Sequence, residues 1–258
     1  MGAIREIYAR VPALAKAVPW VALLVFAAEL IQHAAEIRLG MYEAGPLAPE
    51  AQRTRLLFGL AKVLAILAAL IFALRWWRFE GDSRRAARPT LALFKGLAIL
   101  LLVQAGAQIL LALVARLAGA GLGAAPRVVA LVTVGSLLLW LFLATLLYPW
   151  YVGLLTEDRS MTLRRSAAGA WGRMWASLGL LLAGVLPAMA LHYALGYAAE
   201  GRAGPVVWAL MLVDSAVVAF LALALASAYF TLYRRAAARA PAGSVDGSGP
   251  ATSTARSP

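Results

Sequence analysis

The chain contains no cysteine, which excludes disulfides, thiolate metal sites and cysteine nucleophiles together. Lysine is almost missing too: only Lys16, Lys62 and Lys95 carry it, so arginine supplies the basic charge. That arginine- and alanine-heavy usage fits a GC-rich bacterial genome. No nucleic-acid-binding module accompanies the sequence pI of about 10.8, and nucleic acid is not an expected partner. No serine or threonine sits in a recognisable nucleophile motif, so the chain is not expected to be an enzyme and no cofactor is expected. What the chain does have is apolar surface. Hydrophobic residues make up 63% of its 258 positions, against about 45–50% in a soluble domain. No water-soluble fold of this length hides that much, and every stretch outside the long apolar runs is too short for a soluble domain.

A helix needs about 20 mainly apolar residues to cross a bilayer. Six segments qualify: Pro19–Ile37, Leu56–Trp76, Leu91–Leu117, Val128–Leu154, Met174–Ala198 and Pro205–Tyr233. The third, fourth and sixth exceed the need, so tilt or extension past the bilayer is expected. None shows the alternation of a membrane β-barrel strand. The predicted fold is therefore all-α, a polytopic membrane bundle of six transmembrane helices in three hairpins. It occupies residues 1–235, with 236–258, rich in Ala, Gly, Ser and Pro, as a disordered tail.

The basic residues orient the bundle. Arg5, Arg10 and Lys16 precede the first span. The second connection carries Arg75, Arg78, Arg84, Arg85, Arg88 and Lys95. Arg159, Arg164, Arg165 and Arg173 lie in the fourth, and Arg234, Arg235, Arg239 and Arg256 in the tail. The opposite side holds only Arg38, Arg53, Arg55, Arg116, Arg127 and Arg202. The positive-inside bias then sets both termini in the cytoplasm and the chain in a bacterial inner membrane. Trp76, Trp77, Tyr148, Trp150, Tyr151, Tyr229, Phe230 and Tyr233 fall at the cytoplasmic span ends, where interfacial aromatic belts form.

Two stretches beside the spans are amphipathic. In the N-terminal arm Ile4, Ile7, Tyr8, Val11 and Leu14 share one helical face, with Arg5, Glu6 and Arg10 off it. The length of this arm favours an uncleaved first span over a signal peptide. In the fourth connection Leu163, Ala167, Trp171 and Trp175 recur every four residues and form an apolar stripe for the membrane surface. Arg84-Arg85 before the third span and Arg164-Arg165 before the fifth repeat a basic pair. These four arginines are candidate contacts for anionic phospholipid headgroups of the lipid bilayer.

The fourth connection also carries the best local signature. Pro149 is followed by Leu163-Arg164-Arg165-Ser166 and then Gly172-Arg173-Met174-Trp175. Over roughly residues 148–182 this order resembles a bacterial family of six-span integral membrane domains, found alone or fused to some glycerophosphodiester phosphodiesterases. The resemblance implies a fold and a membrane location; it brings no catalytic residue, because no soluble phosphodiesterase domain is present.

Ionisable residues inside spans are costly and usually face a protein interior or a wet cavity. This chain has Glu29, His33 and Glu36 in the first span, Lys62 in the second, His192 in the fifth and Asp214 in the sixth. Gln104 and Gln108 add to the third, and Thr133 and Ser136 to the fourth. At about 1.5 Å per residue from the outer ends, His33, Lys62 and His192 lie about 6–9 Å deep. On the same count Glu29, Gln108, Ser136 and Asp214 lie about 12–14 Å deep. All belong to the outer half of a roughly 30 Å core. A polar pocket of Glu29, His33, Lys62, Gln104, Gln108, Ser136, His192 and Asp214, opening outward, is expected. Pro187, a little over one turn before His192, is expected to bend the fifth span and free a carbonyl toward that pocket.

Two readings of these groups stand side by side. In one, Glu29 and Asp214 are carboxylates in a vestibule where His33 and His192 exchange protons. In the other, Lys62 pairs with Glu29 or Asp214 and the glutamines bond across helices, so the cluster only holds the bundle together. Glu29, His33 and Glu36 share a helix face and have ligand chemistry. No second helix offers a matching Glu-x-x-His pair, so no metal site is expected. The leading expectation is a non-enzymatic membrane module that binds a lipid, a membrane partner or a second copy as a homo-oligomer. The alternative is a small proton-coupled secondary transporter working through Glu29 and Asp214.

Overall fold

A computed structural model describes residues 2–43, 49–121, 126–202 and 204–239. Among these residues the only regular structure is helical. In chain order the helices are α1 (Gly2–Ala17), α2 (Pro19–Arg38), α3 (Pro49–Arg78), α4 (Ser83–Ala87), α5 (Leu91–Gly121), α6 (Pro126–Leu155), α7 (Leu163–Trp171), α8 (Met174–Ala199) and α9 (Gly204–Arg239). Six of them, α2, α3, α5, α6, α8 and α9, are long and apolar enough to cross a membrane. The chain is thus an all-α, multi-pass membrane bundle. With an even number of spans both ends of the chain lie at one end of the bundle, here called the basic end, together with α1, α4 and α7.

The last helix is the hub. α9 packs against α1, α2, α3, α6, α7 and α8. Its inward face is built from small side chains, among them Ala219, Ala222 and Ala226, which let neighbouring backbones approach closely. Val21 and Val25 of α2 and Leu70, Ala73 and Leu74 of α3 complete that core.

The α5–α6 hairpin is peripheral. On α5 the buried positions are Gly96 and Ala107, and on α6 burial is confined to the stretch from Ala144 to Leu155, among the described residues. The two helices meet closely where Gly96 leaves room: a Cβ there would lie 2.7 Å from the Leu154 carbonyl oxygen. At the basic end Leu93, Leu97 and Leu100 pack onto the main core. Toward the far end the hairpin turns exposed leucines outward, including Leu102, Leu110, Leu131 and Leu138.

At the basic end the amphipathic segments dock by specific bonds. α1 buries Ile7, Val11 and Leu14, while Ile4, expected on that face, is exposed. Tyr8 donates to the Ala183 carbonyl at 2.6 Å, the acceptor four residues before Pro187 and so the one its missing N–H leaves free. The carbonyl freed by Pro187 therefore serves α1, and the expectation that it faces the outer pocket is corrected. Ser227 donates to the Ile7 carbonyl, and Arg10 to Thr231.

Ser166 of α7 enters α6 beside Pro149. Its hydroxyl donates to the Leu146 carbonyl and accepts from the Trp150 N–H, bridging a gap in the ladder that proline disturbs. Ser166 and Ala170 face inward, while Leu163, Trp171 and Trp175 of the expected stripe are exposed. Two expectations change here. Tyr151, Phe230 and Tyr233 are buried, and Tyr148 stacks on Tyr229 with ring centroids 4.3 Å apart; these aromatics fill the interior rather than form a belt. The domain boundary moves as well, because α9 continues through Arg239, with Ala236 buried against Gly169. Residues 240–258 of the expected tail lie outside the described residues.

Candidate functional site

The cavity begins with one helix face. Glu29, Gln32, His33 and Glu36 follow the spacing of a single stripe on α2, and all four are buried. α2 then stops at a left-handed glycine. Gly40 has φ +69°, the Met41 N–H returns to the Glu36 carbonyl and the Gly40 N–H to that of Ile37, the paired bonds of a Schellman end. That turn folds Tyr42 back over the stripe. The Gly201 N–H bonds the Tyr42 carbonyl at 2.9 Å, fixing the turn to the α8–α9 connection.

Four helices supply the polar groups. His33 Nε2 lies 2.8 Å from Asp214 Oδ2 of α9 and 3.3 Å from Glu29 Oε1. Its Nδ1 lies 3.1 Å from both Glu36 Oε2 and the Tyr42 hydroxyl. Both ring nitrogens thus face carboxylate oxygen, and only the imidazolium form donates from both. His192 Nδ1 of α8 lies 2.8 Å from Asp214 Oδ1. Lys62 of α3 sits 3.1 Å from Glu29 Oε2. Gln32 Nε2 and Arg55 Nε donate to Glu36 Oε1 at 2.8 and 3.3 Å. Burial, with the Glu36 carboxylate alongside, pushes the Tyr42 phenol above its ordinary pKa and keeps it a donor.

The cluster borders a cavity of about 270 Å³ at the far end, where Tyr193, Gly196, Tyr197 and Glu200 complete the wall. Glu29 and Asp214 are 0% and 1% exposed, while the His192 and Lys62 side chains, at 26% and 20%, reach its open side. Two carboxylates are therefore buried at the floor with exchangeable groups above them.

Five of the expected pocket residues, Glu29, His33, Lys62, His192 and Asp214, come together here. Gln104, Gln108 and Ser136 do not line the cavity. They lie on α5 and α6, the hairpin at the periphery of the bundle. Gln32, Tyr42 and Arg55 were not singled out. Gln32 was visible as the missing member of the α2 stripe; Tyr42 and Arg55 depend on the Gly40 turn and on the neighbouring helix.

The basic end holds a second polar centre. Arg75 of α3, 1% exposed, donates to the carbonyls of Arg85, Ala86, Arg88 and Leu155 and pairs with Glu157 Oε1 at 2.6 Å. Thr90 also donates to Glu157. Burial would raise the Glu157 carboxyl, but the Arg75 and Thr90 bonds outweigh it and hold it below its ordinary value. A cavity of about 530 Å³ adjoins, lined in part by Arg78, Arg85 and Arg88. Of the four arginines expected at headgroups, Arg84, Arg85 and Arg164 are exposed. Arg85 stacks on Phe79 at 4.3 Å. Arg165 is engaged internally, donating to the carbonyls of Ser160 and Ala237.

Comparison of the chain with protein-family models, curated proteins and solved structures finds no match.

Proposed function

We propose that this chain is a non-enzymatic carrier of the bacterial inner membrane, with cytoplasmic termini, whose far-end cavity binds a small cation in exchange for protons. One observation carries the reading: His33 stands between Glu29, Glu36 and Asp214, with Nε2–Asp214 at 2.8 Å and Nδ1–Glu36 at 3.1 Å. A purely structural cluster would be expected to close its charges in fixed pairs. Here one titratable ring serves three carboxylates from two helices, and its net charge balance changes by one with each proton. Buried carboxylates and histidines in membrane helices commonly mark ion pathways.

The test has two parts. A Gly196→Cys variant probes the cavity in intact spheroplasts with a membrane-impermeant maleimide; a Cβ at Gly196 meets nothing within 4 Å, so the change is accommodated. Labelling is expected. Proton flux in proteoliposomes, driven by an imposed cation gradient, should disappear in Asp214→Asn. Loss of labelling together with unchanged flux in Asp214→Asn sinks the proposal.

A second reading has its own observation. Arg78, Arg85 and Arg88 line the basic-end cavity, and Trp171 at the end of α7 and Trp175 in the first turn of α8 are exposed. These features support binding of anionic phospholipid on the cytoplasmic leaflet. Retention of phosphatidylglycerol through purification, lost in an Arg78→Gln, Arg88→Gln double variant, would favour this module reading.

A further inference from the structure

We propose that Glu29, His192 and Asp214 form a divalent transition-metal site of the Zn²⁺ class at the floor of the far-end cavity. The inference rests on the reading of that cavity as water-filled and deepens it by naming the cation.

Three helices converge on the site. One ligand atom from each of Glu29 (α2), His192 (α8) and Asp214 (α9) lies within 4.8 Å of the other two. Zn²⁺ bonds of about 2.0–2.2 Å to nitrogen and carboxylate oxygen require only modest contraction from that spacing. The donor set is selective. An imidazole nitrogen with two carboxylates suits Zn²⁺, Co²⁺ or Ni²⁺ better than Mg²⁺ or Ca²⁺, which take oxygen shells. Two anionic ligands cancel the charge of a divalent ion, so the loaded site is neutral in the interior of the bundle. Three protein ligands leave the fourth position open, as in zinc sites that exchange what they hold.

A second observation points the same way. Lys62 Nζ donates to Glu29 Oε1 at 3.2 Å; the second oxygen, Oε2, lies 3.1 Å from the same ammonium but is fully buried and accepts no well-directed hydrogen bond. The ammonium occupies the place of a cation without satisfying the oxygen geometrically. Lys62 is long, flexible and 20% exposed, so it can withdraw when a metal ion takes over Glu29. His33 remains off the metal, its Nε2 2.8 Å from Asp214 Oδ2, and orients that carboxylate as metal-bound carboxylates are commonly oriented. Metal binding also moves a proton. His192 Nδ1 faces Asp214 Oδ1 at 2.8 Å, so it carries hydrogen there, and that hydrogen must pass to Nε2 or to solvent before Nδ1 can coordinate.

The experiment is titration of the EDTA-stripped full chain in detergent with ZnCl₂ by calorimetry, with CoCl₂ absorption as a ligand-sensitive second readout. Saturable binding of a single ion is expected, weakened by at least about tenfold in His192→Gln and Asp214→Asn, a loss in the range seen when metal-site residues are altered. Lys62→Met should bind Zn²⁺ as tightly as the unaltered chain or more tightly. Arg164→Gln should leave it unchanged. Binding that persists undiminished in His192→Gln and Asp214→Asn overturns the assignment, as does an unaltered Co²⁺ spectrum in a folded His192→Gln protein. If Gly196→Cys labels from outside but Zn²⁺ does not bind, the metal assignment fails and the cavity reading stands. If Gly196→Cys does not label, the cavity reading fails and the metal proposal falls with it.

Discussion

The two ends of the bundle bury charge in opposite ways. At the basic end Arg75 has a partner for each of its guanidinium nitrogens, four of them main-chain carbonyls that cannot titrate or move away. At the far end the partners are carboxylates, imidazoles and the long side chains of Lys62 and Arg55, shared among several groups at 2.8–3.3 Å. Burial of charge alone does not distinguish a site from a staple. The identity of the partners does: backbone acceptors fix a charge permanently, whereas side-chain partners can exchange protons and ions.

The widest separation of the two ends should come from stability. Arg75→Met strands four carbonyls and Glu157, and is expected to cost about 3–5 kcal/mol, read as loss of monodisperse protein and a lowered unfolding temperature in detergent. Tyr8→Phe leaves the Ala183 carbonyl without its donor and should cost about 1–3 kcal/mol by the same thermal measurement. The far end should be more forgiving. Replacing Glu29 and Lys62 together by Gln and Met removes both members of an ion pair, and stability should stay within about 1 kcal/mol of the unaltered chain while cation binding is lost. A similar cost to that of Arg75→Met would erase the distinction.

A smaller effect follows from Glu157. Its carboxyl titrates below the ordinary carboxylate value in the folded chain. Its stabilising contribution is therefore complete above that value and disappears as pH falls through the lowered one. Thermal unfolding measured from neutral pH down through the carboxylate range should show a steeper acid loss for the unaltered chain than for Glu157→Gln. Least of all, Arg164→Gln on an exposed helix face should move stability by no more than about 0.5 kcal/mol.

The sequence was most legible where one dimension sufficed. Span number follows from composition and length, and the Glu29–His33–Glu36 face from helical spacing alone. Distance from the span ends also grouped His33, Lys62, His192, Glu29 and Asp214 at compatible depths. That count locates a residue along the membrane normal and says nothing of its angle around the bundle, which is why Gln108 and Ser136 were grouped with a cavity they do not reach. Arg75 was read as a topology charge because it begins a run of arginines. Its burial depends on α4 and the α6–α7 turn folding over it, contacts made by residues up to 82 positions away. The pairing of Asp214 with His33 of α2 and with His192 of α8 likewise arises from helix neighbourhood, which no spacing rule supplies.

The bond from Tyr8 to Ala183 joins residues 175 positions apart, and that from Ser227 to Ile7 joins residues 220 apart. During synthesis α1 precedes α8 and α9, which carry its binding surface. Until they follow, Ile7 lacks Leu180, Leu181, Ala228 and Leu232, the side chains it clusters with. The first helix therefore waits for the sixth span, and a chain cut short before α9 retains an unclasped N-terminal arm. Whether α1 has found its seat therefore reports that α8 and α9 are in place.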